Sequence, residues 1–261
     1  MFQLNKDRCI QCGQCARVCP FTCITLDSGY PDMAPKKQRA CVKCLHCAAI
    51  CPTEAIAFPG LSCEPMVPWE PGETAFLQTK NMMLTRRSIR NFKKDPVPRS
   101  VIEEVLRTSD FAPSARNQQP QSWLVVHKPE TVSKVMKLVV EWVENKHISM
   151  EILSELERQN NIVTLDAPHL LIGIGPRAGK MNPYTDTVIA LRDIDLLFHS
   201  RGIGTCWAGY LANLINASLE LRAYLGIPAD LQVYGAMAFG YADKETYQRL
   251  PYKGNPPVQW K

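Results

Sequence analysis

Eight of the cysteines in this 261-residue chain fall into two runs of one spacing. Cys9, Cys12, Cys15 and Cys19 precede Pro20, and Cys41, Cys44, Cys47 and Cys51 precede Pro52, the second run repeating the first 32 residues further on. Thiolates are soft ligands that bind zinc or iron–sulfur clusters. Zinc is the competing reading, but it takes four ligands in two pairs and has no use for three consecutive closely spaced cysteines. The C-x₂-C-x₂-C-x₃-C-P spacing is that of [4Fe–4S] ligation, in which the fourth cysteine serves the other cluster. The reason is reach: three near thiolates wrap three corners of a cubane, and the fourth corner is supplied from elsewhere. Cys9, Cys12, Cys15 and Cys51 are therefore assigned to one cluster, and Cys41, Cys44, Cys47 and Cys19 to the other. Cys23 breaks the spacing and reads as a small buried hydrophobe. Cys63 is not a predicted ligand.

A second group of residues suits an anion. In the run 86–92, Arg-Arg-Ser-Ile-Arg-Asn-Phe, the guanidinium forks of Arg86, Arg87 and Arg90 and the hydroxyl of Ser88 are suitable phosphate donors. The alternative is a solvated basic face. Three further segments accompany it. Residues 112–120 carry Pro113, Ser114, Ala115, Arg116 and Asn117; residues 202–210 carry Cys206, Trp207, Ala208 and Gly209; residues 235–241 lead towards Arg249. Gly202 and Gly204 follow a helix rather than a strand, so they lack the context of a dinucleotide-binding loop. No separate NAD(P) domain is expected, and none of the five His pairs with a Cys or carboxylate at catalytic spacing.

Residues 1–60 resemble the two-[4Fe–4S] bacterial ferredoxins. Residues from about 80 to 261 resemble the nitroreductase family of FMN enzymes on the four segments just given, in that order. The second resemblance implies an α+β core in an intertwined homodimer with FMN at the interface. It also implies roles. Arg86, Arg87, Ser88 and Arg90 match the motif that holds the flavin phosphate and one flavin edge, and Arg249 a late basic residue on the same phosphate. Pro113, Ser114, Ala115 and Asn117 match the loop reaching the flavin of the other subunit. Cys206, Trp207, Ala208 and Gly209 match the turn beside the isoalloxazine ring, with the N–H groups of Ala208 and Gly209 facing N5 and O4. The sequence departs from better-known members at Ala208, where some carry an acid. The Asn and Lys with which members hold the flavin pyrimidine have no match in 130–165. Arg116 reads as an exposed surface arginine.

The elements that must position these groups follow from periodicity and punctuation. Val101, Ile102, Val105 and Leu106 keep helical spacing. Ser122 to His127 reads as a strand, and Pro129 opens a helix with Val132, Val135, Met136, Val139 and Val143 on one face. Ile148 to Leu156 reads as a helix, Leu170 to Gly175 as a buried strand, and Asp186 to Arg201 as a central or interfacial helix apolar on several sides. Asn216 is expected to cap a short helix ending near Gly226, before a strand from Gln232 to Phe239. The fold class expected is α+β: a dicluster domain at 1–60, a Pro-rich linker at 61–78, and a nitroreductase-like α+β sandwich at 79–261.

Composition bounds the rest. Hydrophobic content of 46% and charged content of 21% are those of a globular protein, and the net charge of +5 is too mild to argue for nucleic acid. No apolar run is long enough for a membrane span and none follows the first charges as a signal peptide. An odd total of 11 cysteines in tight spacing argues for metal in a reducing compartment, so a cytoplasmic protein is expected. The functional expectation is an oxidoreductase passing electrons from two [4Fe–4S] clusters to FMN and on to a small organic acceptor such as a nitro compound or quinone. A low-potential ferredoxin or reductase is the expected donor. The alternatives are a pure electron carrier whose second domain serves dimerisation or docking, and a protein that merely holds or consumes flavin.

Overall fold

The computed structural model describes residues 2–146, 154–155, 158, 160–177, 182–244, 247–251, 254 and 256–261. The expected helix at 148–156 lies outside the described residues, apart from 154 and 155. The chain divides into two compact units: Met1–Glu70 with Arg116–Gln118, and Pro71–Ala115 with Gln119–Lys261.

In the first unit the sequence repeat is also a backbone repeat. Helix α1 (Gln14–Val18) recurs as α3 (His46–Ala49), with α2 (Pro35–Ala40) between them. Left-handed backbone at Gln11, Gly13 and Thr22 recurs at Lys43, Leu45 and Glu54, each 32 residues on. Leu45 adopts φ 61° where the first half has Gly13 at φ 69°. Left-handed geometry costs a side-chain-bearing residue roughly 1–2 kcal/mol, so the loop around the second trio of cysteines is held there by its surroundings. Strands β1 (Gln3–Leu4) and β2 (Ile56–Ala57) pair antiparallel and close the unit. One core draws on both halves, with Ile24, Met33, Ile56 and Phe58 packed around Cys15, Cys23 and Cys47. A core this small, and so largely built of thiols, is not self-sufficient. Stripping iron from the folded chain should therefore abolish the far-UV dichroism of this unit and open residues 2–60 to proteolysis; protection unchanged after chelation is the opposing result.

The second unit begins with α4 (Glu73–Thr85), which starts inside the stretch 61–78, and α5 (Arg99–Ser109). Then come β3 (Ser122–Val126), α6 (Pro129–Lys146), β4 (His169–Pro176) and α7 (Pro183–Ser200). The chain ends with β5 (Ile203–Trp207), α8 (Gly209–Ala217), α9 (Leu219–Tyr224) and β6 (Leu231–Tyr241). The strands form an antiparallel sheet in the order β3-β4-β6-β5. Alternation along β4 and β6 sends side chains to two cores. Leu170, Ile172, Ala236 and Ala238 pack with Val132, Val135 and Val139 of α6 and with Leu211 and Ile215 of α8. Leu171, Met237 and Phe239 pack with Ile102 and Val105 of α5 and with Leu191, Ile194 and Phe198 of α7. Helices thus cover both faces, which explains why β4 reads as an unbroken apolar run. The α+β class and the strand and helix expectations at 101–106, 122–127, 129–143, 170–175, 186–201 and 232–239 agree with this arrangement.

One expected cap is corrected. Asn216 lies inside α8, and its side chain pairs with β6 in both directions: Nδ2 donates to Val233 O at 2.8 Å, and Oδ1 accepts from Val233 N at 3.0 Å. Ser218 is the residue that caps α9, its Oγ accepting from Leu221 N at 3.1 Å. An amide long enough to reach the sheet satisfies strand backbone there, and the shorter hydroxyl takes the cap.

His127 and His169 stack with ring centroids 4.6 Å apart. Val97 N donates to His169 Nε2 at 2.9 Å, so His169 carries its proton on Nδ1 and donates it to His127 O at 2.8 Å. Burial pushes His169 down from 6.5 to about 4, the hydrogen bond to His127 O opposing it and the charge of the His127 ring adding a smaller push the same way. Above its unfolded pKa the ring is neutral in both states and folding is indifferent to pH. Between about 6.5 and about 4 the unfolded chain binds a proton that the folded chain refuses, so stability falls as pH falls. The expected loss across that window is on the order of 2–3 kcal/mol. Urea midpoints measured from pH 7 to pH 4 should show the loss, and His169→Gln should flatten it.

Among the described residues no helix is long and apolar enough to cross a membrane.

Candidate functional site

Two cavities in the first unit divide eight cysteines between them. One is lined by Cys9, Cys12, Cys15 and Cys51. The other is lined by Cys19, Cys41, Cys44 and Cys47, with Cys23 beside them. Among the described residues no three His, Cys, Asp or Glu side chains converge tightly enough for a single ion. The thiols surround a volume instead, as the corners of a cubane require. The donor set of each cavity, four thiols, is the one an iron–sulfur cube takes.

The surroundings of the thiols repeat as well. Cys23 N donates to Cys19 Sγ at 3.3 Å, and Ala55 N donates to Cys51 Sγ at 3.3 Å. Lys43 N donates to Cys41 Sγ at 3.4 Å. Burial raises the Cys15 thiol above its ordinary value and pushes Cys47 up to about 12. At Cys19 and Cys51 burial pulls the same way, but amide donors, from Cys23 and Phe21 in one case and Ala55 and Thr53 in the other, outweigh it and hold both thiols low. Donors aimed at sulfur favour the thiolate, the form that binds iron. Cys23 is buried at the position equivalent to Ala55, in keeping with its reading as a small apolar residue.

In the second unit the basic run leaves α4 and is stitched along the sheet. Ile89 N donates to Thr205 O at 2.9 Å, Lys93 N to Tyr241 O at 2.8 Å, and Asp243 N to Asn91 O at 2.9 Å. Gly204 makes this approach possible, because a Cβ there would lie 2.7 Å from Ile89 Cγ1 and 2.8 Å from its Cβ. Gly204→Val should force the run off β5, cost about 1–3 kcal/mol of stability and weaken any ligand of the run; thermal melts and ligand titration measure both effects.

Arg86 and Arg87 are half-buried, and Arg86 Nη1 and Arg87 Nε are buried without a hydrogen-bond partner. Arg87 Nη1 donates to Arg86 O at 2.6 Å. Arg86 Nε lies 3.5 Å from Asp195 Oδ2, and Asp195 is only 1% exposed. Its carboxylate also accepts from Arg192 Nη1 at 2.6 Å and from the Thr205 hydroxyl. Burial keeps His199 below its usual range, Asp195 opposing and Arg86, Arg192 and Arg87 reinforcing it. Unspent guanidinium donors next to an over-neutralised carboxylate are an anion cradle, and a flavin phosphate has the charge and the acceptors to fill it. Asp195, Arg192 and Thr205 were not singled out from the sequence; an acid on a helix that is apolar on several sides was the signal available.

The other expected flavin residues are spread over three places. Ser114 Oγ accepts from Gln119 N at 3.0 Å, and Ala115 N donates to Asp186 Oδ1 at 3.0 Å, which ties the loop at Pro113 to α7. Arg116 is exposed, and Arg116, Asn117 and Gln119 all have left-handed backbone. Arg249 is exposed near the end of the chain. Cys206, Trp207, Ala208 and Gly209 line an open cleft with Arg90, Phe92 and Tyr210. Here one expectation is corrected. Ala208 N donates to Ala236 O at 2.8 Å, continuing the sheet for one residue beyond β5. Its N–H is spent, and the donor left at this turn is that of Gly209, whose N–H opens α8 and has no intrahelical acceptor.

Residues 83–241, more than half of the chain, match the nitroreductase family, and residues 8–58 match the 4Fe-4S dicluster domain. A Thermus thermophilus protein named NADH dehydrogenase is 28% identical over 198 residues, covering 67% of this chain and 93% of that protein. A nitroreductase with bound FMN from Bacteroides fragilis shares the fold with a TM-score of 0.61 at 20% identity, over 70% of this chain and 98% of its own. A second, with bound FMN from Desulfitobacterium hafniense, gives 0.60 at 20% identity over the same shares. The chain belongs to the nitroreductase family of FMN oxidoreductases, and its family domain is fused to an N-terminal 4Fe-4S dicluster domain that supplies eight cysteines.

Proposed function

We propose that this protein takes electrons one at a time at its two clusters, gathers them at FMN and delivers them in pairs to a small organic acceptor of the nitro or quinone type. The observation that carries the reading is the presence, on one chain, of two four-cysteine cavities and an unspent guanidinium cradle in a nitroreductase-family domain. When bound, the clusters supply single-electron transfer and FMN supplies the exchange between single electrons and pairs. Cys9, Cys12, Cys15 and Cys51 hold one cluster; Cys41, Cys44, Cys47 and Cys19 hold the other. Amides aimed at the sulfurs of Cys19, Cys41 and Cys51 offset thiolate charge. Arg86, Arg87, Ser88, Arg90 and Arg249 hold the flavin phosphate. Cys206, Trp207 and Gly209, which line the cleft, would flank the ring, and the Gly209 N–H would be available to it as a donor.

The active form in this reading is a homodimer in which Pro113, Ser114, Ala115 and Asn117 of one protomer complete the flavin site of the other. Helix α4 supports it: none of its residues is buried, and Phe76, Leu77, Met83 and Leu84 stand exposed along it. A 13-residue helix without a packed face is marginal alone. The test is stoichiometry. Protein purified without oxygen should carry about eight irons and one FMN per chain and sediment at twice the chain mass. Full iron with a flavin site that binds nothing would sink the coupling.

The name of the Thermus thermophilus relative favours a second reading of the donor, in which a nicotinamide nucleotide reduces the flavin directly. Anaerobic NADH then bleaches the flavin absorbance before the cluster absorbance. A reduced ferredoxin produces the opposite order if the clusters are the entry.

A further inference from the structure

Asp195 is an anomaly on α7. It is a carboxylate with 1% of its surface exposed, on the helix turn that faces β5 and the end of α4. Three elements meet on it: Arg192 from its own helix, Thr205 from β5 and Arg86 from the C-terminal cap of α4. Burying a carboxylate in this way is costly unless every acceptor is matched. Here the matching also does something for Arg86. With its Nε face turned to Asp195 Oδ2, the guanidinium is fixed, and its buried Nη1 is left without a partner. Arg87, fixed by its own bond to Arg86 O, leaves its Nε unspent next in the chain. Two unsatisfied donors, one held by the buried acid and the other by the backbone of Arg86, are what a dianion needs on arrival, with little side-chain ordering left to do.

We propose that Asp195 is a positioning residue for the phosphate of the flavin. It orients Arg86 and, through Thr205, locks the basic run to β5, and it thereby sets the preference of this protein for FMN over unphosphorylated flavin. The inference rests on the reading of residues 86–90 as the phosphate site. Its sign is not trivial. Asp195 is negative, so a purely electrostatic view has it repelling the phosphate, and its neutralisation tightening FMN. Arg192 at 2.6 Å already offsets that charge. The charge balance of Arg86, Arg87 and Arg192 against Asp195 stays positive. Orientation therefore outweighs repulsion, and losing the acid weakens FMN.

The experiment is a calorimetric titration of the full, iron-loaded chain, stripped of flavin, with FMN and separately with riboflavin. The wild type should prefer FMN. Asp195→Asn should weaken FMN tenfold or more and leave riboflavin affinity unchanged. Thr205→Val, which removes the hydroxyl donor and keeps a strand-forming side chain, should show a smaller loss of about threefold, again for FMN alone. In an Arg86→Gln background Asp195→Asn should add no further loss, since the acid acts through that arginine. FMN affinity unchanged or improved in both single variants overturns the proposal. Equal losses for FMN and riboflavin also overturn it, because they mark a structural role. A wild type that binds the two flavins alike removes the phosphate site itself and the proposal with it. Should Asp195→Asn fail to fold, the Thr205→Val comparison decides alone.

Discussion

Replacing Cys51 by alanine should empty the first cavity, not the second, and lower iron from about eight to about four atoms per chain. Cys51 belongs by sequence to the second run, yet its side chain lines the cavity of Cys9, Cys12 and Cys15. Cys19→Ala should do the reverse, depleting the cavity of Cys41, Cys44 and Cys47. Each variant keeps the three closely spaced cysteines of the damaged site, so a three-iron remnant is the mildest outcome. Iron analysis with spectroscopy of the surviving cluster reads the result. On the relay proposed above, acceptor reduction driven by a low-potential one-electron donor should fall in either variant. Retention of all the iron in Cys51→Ala would overturn the crossed ligation.

The crossed arrangement was legible because thiolate chemistry forces it. Spacing alone limits three cysteines to three corners of a cube, and the 32-residue repeat supplies the fourth. The repeat also carries the left-handed backbone at Gln11 and Lys43, which no residue-type signal announces: neither is Gly or Asn. In the second unit the long periodic segments were readable from their apolar spacing, as α6 and β4 illustrate. The misreadings at Asn216 and Ala208 share a cause. Both residues satisfy the backbone of β6, a strand distant in sequence from either role expected of them, and hydrogen bonds across a sheet leave no trace in local pattern. Asp195 was missed for a related reason. Its partners come from α4 and β5, and only the fold brings Arg86 and Thr205 to one carboxylate.

Removing the two guanidinium groups together is the change with the largest expected effect on the second unit. The double variant Arg86→Gln, Arg87→Gln should weaken FMN by about a thousandfold, because each lost bond to an ionised group is worth roughly 1.5–3 kcal/mol. The fold should survive. Asp195 keeps Arg192 at 2.6 Å and the Thr205 hydroxyl, so the buried carboxylate is not left bare, and the strapping of the run to β5 is carried by Ile89 N and not by either arginine. Thermal melts close to those of the wild type, together with a flavin site that no longer fills at micromolar FMN, are the expected pair of observations. The same protein separates the enzyme from the electron carrier. Its cluster cavities are untouched, so a reduced ferredoxin should still bleach the cluster absorbance at the wild-type rate, while reduction of a nitroaromatic or a quinone falls to background. If acceptor reduction persists at wild-type rate with the flavin gone, electrons leave from the clusters and the second domain has another purpose, such as dimerisation or docking. If it returns when FMN is raised far above its weakened affinity, the lost bonds were those to the phosphate and the chemistry at the ring is intact.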